Sequence, residues 1–169
     1  MRGRGRLPAL HGRAGPLRAP ACEEGDGHMV EIITLGGLEL RFLQSGDQTG
    51  GCLDMFEMTV QPNARMPVAH HHESWEETIY GLAGVTTFVV GGRDIDIGPG
   101  DSVFIPRGVV HAFRNDTQAA TSCLCVLTPG VLGPGYFREL AALLAAGAPD
   151  PARMKAIMLR HGLVPAPAA

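Results

Sequence analysis

Short apolar runs separated by glycine and proline fill the middle of the chain and limit what it can fold into. Glycine and proline account for 23 and 13 of the 169 residues, and 45% of the chain is hydrophobic. The pairs Gly36-Gly37 and Gly91-Gly92 each separate two apolar runs, as hairpin turns with positive φ do. We therefore predict an all-β fold, a small barrel of two packed sheets. The predicted strands are Met29–Thr34, Leu38–Leu43, Leu53–Val60, His70–His72, Glu77–Leu82, Val85–Val90, Asp94–Ile97, Val103–Ile105, a strand carrying His111, and Thr121–Leu127.

Beyond residue 130 the apolar residues recur with the period of a helix. The sequence predicts a helix over Tyr136–Ala146, with Phe137, Leu140 and Leu144 on one side and Gly147 at its end. We expect this segment to begin a C-terminal helical extension.

A second short helix is predicted from Asp150, which has the residue type of an N-cap and is followed by proline, to Gly162. One face of this helix carries Met154, Ile157, Met158 and His161. We expect Met154 and Met158 to serve packing, and the helix pair to lie on the outer barrel wall or to cover a subunit partner.

The first 28 residues differ in composition from the rest and contain five arginines and three prolines without periodicity. We expect residues 1–28 to form a disordered N-terminal arm, or to be an over-long gene start or leader. An arginine-rich arm that binds RNA or acidic lipid is the functional alternative. Residues 29–130 are then the barrel and residues 131–169 the helical extension of one domain.

Composition argues against several classes of protein. The net charge is −3 and Lys155 is the only lysine, so no basic surface for nucleic acid is expected outside the first twenty residues. No apolar run is long enough to span a membrane. The cysteines are few and scattered, without C-x-x-C spacing, which fits a reducing cytoplasm better than a disulfide framework. They are Cys22, Cys52, Cys123 and Cys125.

Histidines at metal-ligand spacing are the strongest chemical signal. His70 and His72 lie two residues apart in an extended segment, so their side chains share a face. Glu77 follows after a polar turn, and His111 lies in a later strand. Three imidazoles and a carboxylate suit one divalent transition metal: iron, manganese, nickel, zinc or copper. The alternative is a histidine-rich surface turn and an unrelated core histidine.

The same residues resemble the two sequence motifs of the cupin superfamily. The first motif, H-x-H-x3–4-E-x6-G, matches at His70, His72, Glu77 and Gly84, and the second matches at Gly100, Pro106, Gly108, His111 and Asn115. The glycine that opens the first motif is replaced by Ala64. The resemblance covers residues 36–128. It implies a double-stranded β-helix, or jelly-roll barrel, with the three histidines and Glu77 as metal ligands.

Strand alternation gives a first list of pocket residues. Ile79 shares a face with Glu77 and Phe113 shares one with His111, whereas Tyr80 points away. Further candidate wall residues, whose register is open, are Phe56, Met58, Val103 and Ile105.

Neighbouring polar residues are expected to have other roles. We place Glu76 outside the site, and His71 on the opposite face from the ligands. Asn115 is expected to bond the backbone at a turn, and Cys123 and Cys125 to be buried, inert thiols on one strand face.

Two classes of function remain open. The resemblance to small quercetin-dioxygenase-like cupins implies a metal-dependent dioxygenase acting on a small enolisable or phenolic molecule, with Glu77 as a ligand that also accepts a proton. Isomerase or lyase chemistry on the same ligands is an alternative, as is a non-catalytic small-molecule or metal-binding module. A homodimer is expected in either case.

Overall fold

Two antiparallel sheets form the body of the molecule in a computed structural model that describes residues 30–148 and 150–167. One sheet has the strand order β1-β2-β3-β10-β5-β8 and the other the order β11-β4-β9-β6-β7. The strands are β1 (Glu31–Leu35), β2 (Leu38–Gln44), β3 (Asp54–Val60), β4 (His70–His72), β5 (Glu76–Ala83), β6 (Thr86–Val90), β7 (Arg93–Ile97), β8 (Ser102–Ile105), β9 (His111–Arg114), β10 (Thr121–Thr128) and β11 (Leu163–Pro165). The helices are α1 (Gly46–Thr49), α2 (Gly133–Ala145) and α3 (Pro151–Arg160). The predicted all-β jelly-roll with two C-terminal helices is confirmed.

The hairpins form where glycine pairs were read as turns. Gly36 has φ of 57°, and Gly91 and Gly92 have φ of 57° and 77°, values that favour glycine. They join β1 to β2 and β6 to β7 in antiparallel register. The first strand begins at Glu31, and Met29, where we predicted its start, lies outside the described residues.

Alternation along the strands places one face of each in a shared core. Every second residue of β3 and of β10 is buried, as expected for strands that cover a core on one side. Cys123 and Cys125 belong to this buried face, with their sulfurs 3.9 Å apart as free thiols, which agrees with the prediction of buried thiols. The sulfur contact with Cys123, together with burial, raises the pKa of Cys125, which keeps that thiol protonated.

Asn115 is fully buried and links the end of β3 to the turn that follows β9. Its amide nitrogen donates to the carbonyl oxygens of Val60, Gln61 and Ala119, and its amide oxygen accepts from the backbone nitrogen and hydroxyl of Thr117. The predicted structural role of this residue is confirmed.

The C-terminal segment packs against the barrel and joins its sheet. We predicted the first helix from Tyr136, but α2 begins three residues earlier, at Gly133. β11, which the sequence analysis did not anticipate, pairs with β4, so that Leu163 lies opposite His72. α2 packs against β1 and α3 against β11, and the proposed contact of these helices with a subunit partner stays a prediction. Among the described residues no helix is both long and apolar enough to cross a bilayer.

Candidate metal centre

Two neighbouring strands bring the predicted histidines to one point. In β4, His70 and His72 point to the same side, and β9 pairs with β4 so that His111 lies opposite His70. All three side chains are buried, and their ring centroids are 4.7 to 5.0 Å apart. Their potential ligand nitrogens all lie within 4.8 Å of one another, which is close enough to share one metal ion.

Backbone carbonyls determine which nitrogen of two rings carries the proton. Nδ1 of His70 lies 3.2 Å from the carbonyl oxygen of Val68, and Nδ1 of His111 lies 3.0 Å from that of Val109. A carbonyl oxygen can only accept, so both Nδ1 atoms donate. In the neutral rings the Nε2 atoms therefore carry lone pairs, as metal ligation by histidine requires.

Glu77 completes the set from the neighbouring sheet. It lies on β5, and its Oε2 is 3.3 Å from Nε2 of His111. This contact lacks hydrogen-bond geometry, which leaves Nε2 of His111 buried without a hydrogen-bond partner. Nε2 of His70 is 3.1 Å from Nε2 of His72. A cation among these atoms would satisfy both the unpaired lone pair and the carboxylate, so the residues fit a divalent metal ion.

Burial keeps two of the rings neutral. It lowers the pKa of His70 to about 4, helped by the charge of His111, and it lowers the pKa of His72 to about 3. The pKa of His111 is raised, because contact with the Glu77 carboxylate outweighs burial. Burial by itself would raise the pKa of Glu77. The combined effect of His111, His72 and His70 is larger and opposite, so the pKa of Glu77 is lowered overall. Neutral imidazoles and an ionised carboxylate are the forms that bind metal.

The two neighbours that we placed outside the site point elsewhere. Glu76 pairs with the guanidinium of Arg107 through two hydrogen bonds, one of them 3.0 Å long, at the protein surface. His71 is half-buried and lies on the other side of β4 from His70 and His72.

Trp75 packs against one of the candidate ligands, His72. Its indole stacks on the ring of His72, with centroids 4.5 Å apart and planes 20° apart. Trp75 is only 2% exposed, and it also lies against Gly162, at the end of α3. The C-terminal segment thereby supports the histidine cluster through one tryptophan.

An apolar cavity of about 100 Å³ opens onto the cluster. The three histidines and Glu77 line it together with aliphatic and aromatic side chains from both sheets and from α2 and α3. These further residues are Leu35, Leu38, Leu40, Phe56, Met58, Met66, Pro67, Val68, Phe88, Phe113, Leu127, Leu132, Tyr136, Phe137, Leu140, Leu144, Met154, Met158 and Leu163.

The structure divides the predicted wall residues into two groups. Those in the cavity lining are Phe56, Met58 and Phe113, and those outside it are Ile79, Val103 and Ile105. Ile79 is opposite Val103 across β5 and β8, and Ile105 is opposite Glu77. Ile79 and Ile105 are buried to at least 99% and pack within the core. Of the two residues predicted because they share a face with a ligand, Phe113 lines the cavity, whereas Ile79 packs in the core away from it.

The helical part of the wall was not anticipated from the sequence. Tyr136, Leu140 and Leu144 recur at the spacing of one helix face, and the lining contains all three. Met154 and Met158, which we assigned to packing alone, are buried and line the same cavity. Periodicity revealed these apolar faces, but not which surface they cover.

The conserved-domain and sequence comparisons agree with this geometry. Residues 56–127, which include all four candidate ligands, match the family model described as a cupin domain. Over 79 residues the chain is 38% identical to quercetin 2,3-dioxygenase from Bacillus subtilis (strain 168), an alignment that covers 47% of this chain. The chain spans only 23% of the length of that relative.

Solved structures with the same fold include two whose names specify an activity. The polyketide cyclase RemF from Streptomyces resistomycificus superposes with a TM-score of 0.53 at 29% identity, over 59% of this chain and 74% of the cyclase. A predicted oxalate decarboxylase from Thermotoga maritima gives a TM-score of 0.54 at 25% identity, over 59% of this chain and 91% of that protein.

Proposed function

This chain belongs to the cupin superfamily, and from that premise we propose that it is a metal-dependent enzyme of the dioxygenase type. Its substrate would be a compact enolisable or phenolic molecule. The observation that carries the proposal is the convergence of three buried histidines and Glu77 at an apolar cavity. The sequence identity of 38% to a quercetin 2,3-dioxygenase over 79 residues supports the oxidative chemistry.

His70, His72, His111 and Glu77 would hold one divalent transition metal. A redox-active ion bound there would polarise an enol or phenol oxygen and activate O2. Each ligand has its own support, since carbonyl oxygens orient His70 and His111 and Trp75 stacks on His72. Such outer contacts hold the rings ready for a metal.

Two further properties of the chain serve the chemistry. Among the described residues of the cavity lining Glu77 is the one carboxylate, and it accepts the proton that a phenol or enol loses on binding. The apolar walls keep water from the reacting centre and accept an apolar substrate body. Pockets for drug-sized ligands enclose roughly 300–1,000 Å³, so a cavity of about 100 Å³ favours a smaller molecule.

Non-oxidative chemistry on the same ligands is the second candidate. The cyclase and the predicted decarboxylase are matched over 74% and 91% of their lengths, a larger share than the quercetin dioxygenase. An isomerase, lyase or cyclase would use Glu77 as the proton acceptor without consuming O2. A non-catalytic binding module, in contrast, would bind such a molecule without converting it.

Elemental analysis of wild-type protein and of two adjacent histidine variants tests the metal site. His72→Ala should lose stoichiometric metal while the barrel stays folded, because the ligands lie on a preformed scaffold. His71→Ala removes the same side chain from the opposite side of β4 and should keep full metal content. Equal metal content in His72→Ala and wild type would show that His72 is not a metal ligand.

Oxygen uptake with a panel of phenols and diketones then separates the candidate functions. Uptake that depends on both substrate and metal supports the dioxygenase. Bound metal with substrate conversion but without uptake supports the second candidate, and bound metal with neither leaves the binding module.

A further inference from the structure

Tyr136 carries the one hydroxyl group among the described residues of the cavity lining. It lies in the second turn of α2, lines the cavity, and is 6% exposed. Its ring packs against Phe137 and His161, at centroid distances of 4.9 and 5.6 Å. Within residues 30–148 and 150–167 its hydroxyl makes no hydrogen bond to the protein, and it is not one of the fully buried polar atoms, so it keeps some accessible surface.

The hydroxyl is also chemically isolated among the lining residues. Apart from the three histidines and Glu77, the described residues of the lining are aliphatic, aromatic or thioether side chains and one proline. Because the hydroxyl keeps accessible surface but has no partner in the described part of the protein, it is free to bond a molecule that enters the cavity. A phenylalanine would pack as well at this position, so packing alone does not account for the oxygen.

We propose that the Tyr136 hydroxyl donates a hydrogen bond to an oxygen of the ligand that occupies the cavity. The ligand class that follows is a compact, mainly apolar molecule with two oxygen functions. One is the phenol or enol directed at the histidine cluster, and the other is an ether, carbonyl or hydroxyl oxygen that accepts from Tyr136. This inference rests on the proposed function and narrows its substrate class.

The direction of the hydrogen bond follows from the environment of the phenol. Burial raises the pKa of Tyr136 well above its ordinary value, so the hydroxyl keeps its proton and acts as a donor. Sites built to bond a ligand oxygen discriminate against analogues that lack it, because the site's polar group is then left unpaired.

The test uses isosteric probes. Each of 3- and 4-methoxyphenol differs from the corresponding ethylphenol by an ether oxygen in place of a methylene group. Affinities are measured by calorimetry under anaerobic conditions, with wild-type protein, Tyr136→Phe and Tyr80→Phe. Tyr80 is the other tyrosine of the chain, and it is 45% exposed on β5, outside the cavity lining, so it controls for loss of a phenol oxygen.

Wild type should bind one of the methoxyphenols about three- to tenfold more tightly than its ethyl isostere, the range for one hydrogen bond. In Tyr136→Phe the two affinities should become equal, through loss of methoxyphenol affinity, while ethylphenol affinity and metal content stay unchanged. Tyr80→Phe should behave as wild type. An unchanged ratio in Tyr136→Phe, or equal loss of all probes, would overturn the proposal.

Three further outcomes are also decisive. If Tyr136→Phe does not fold, equal wild-type affinity for both members of each pair overturns the proposal, as does failure to bind any probe. Metal content reports separately on the proposed function: a ratio that collapses in Tyr136→Phe without any bound metal supports the tyrosine contact and overturns the metal-dependent enzyme.

Discussion

Protonation of single histidines links the candidate site to stability. In the fold His70 and His72 have pKa values of about 4 and about 3, against 6.5 for an unperturbed histidine. As pH falls below 6.5 the unfolded chain therefore binds protons that the folded chain does not, which lowers the free energy of unfolding. His111 partly offsets this loss, because its raised pKa favours the folded, protonated form.

We therefore expect metal-free protein to lose stability between about pH 7 and about pH 4.5, by a few kcal/mol at roughly 1.4 kcal/mol per pKa unit. Urea unfolding after treatment with a chelator measures the change. His72→Asn lacks one of the two titrating rings and should lose less stability over the same range. Equal free energies of unfolding at the two ends of this pH range would contradict the assignment of His70 and His72 as neutral rings.

A single glycine couples the end of α3 to the site. Gly162 has φ of 78°, and a Cβ there would lie 2.9 Å from Cζ3 of Trp75. Gly92 has φ of 77°, with nothing within 4 Å of the corresponding Cβ. Both Gly→Ala variants incur the cost of positive φ, about 1–2 kcal/mol, but only the variant at Gly162 displaces the indole.

Gly162→Ala should therefore lower the free energy of unfolding more than Gly92→Ala does. It should also change the emission of Trp75, the only tryptophan in the chain, since the indole stacks on His72. Fluorescence spectra and urea unfolding of the two variants check both effects. Equal destabilisation and unchanged emission in both would mean that the indole moves aside without cost.

At the scale of the elements, Asp54 holds α2 in place. It is fully buried at the start of β3 and accepts hydrogen bonds from the backbone nitrogens of Gly46, Leu132 and Gly133, at 2.7, 3.0 and 3.0 Å. Leu132 is the N-cap of α2 and Gly133 its first residue, where unpaired N–H groups require acceptors. The carboxylate thus joins the barrel to the helix that carries Tyr136.

Asp54→Asn replaces one acceptor oxygen by an NH2 group that faces N–H donors. We expect a loss of about 1–3 kcal/mol, the cost of an unsatisfied buried polar group, and faster amide exchange in the first turn of α2. Asp47→Asn makes the same chemical change at an exposed position in α1 and should leave both unchanged. Similar results for the two variants, in denaturation and in hydrogen exchange, would exclude Asp54 as the anchor.

The sequence predicted the elements better than their contacts. Strand alternation was sufficient to place His70 and His72 on one face, and the resemblance added His111; the pairing of β4 with β9, which brings His111 opposite His70, is seen only in the structure. Ile79 and Ile105 share strand faces with the site but lie beyond the cavity lining, since alternation specifies the face and not the depth. Asp54 gave no local signal, because its partners Leu132 and Gly133 are distant in sequence. Periodicity indicated the helix that carries Tyr136, but not that this residue lines the cavity.

At the scale of the whole molecule, the C-terminal segment is part of the structure around the cavity. Leu132, Tyr136, Leu140 and Leu163 are buried, and α2 and α3 supply one side of the cavity. β11 gives β4 its second neighbour in the sheet, beside His70 and His72. Residues 1–28, in contrast, lie outside the described residues, and the predicted disorder of this arm stays a prediction.

Two truncations should therefore have opposite effects. Deleting residues 1–28 should change neither the thermal midpoint nor the metal content, because five arginines and three prolines without periodicity predict an arm that does not pack on the domain. A chain ending at Gly130 loses two of the three donors to Asp54 and exposes the cavity walls to water. It should unfold at a lower temperature, bind a hydrophobic dye and fail to retain metal. If the chain that ends at Gly130 keeps the full thermal midpoint and metal content, the barrel closes the site alone. A lower midpoint after deletion of residues 1–28 would show that these residues pack on the domain.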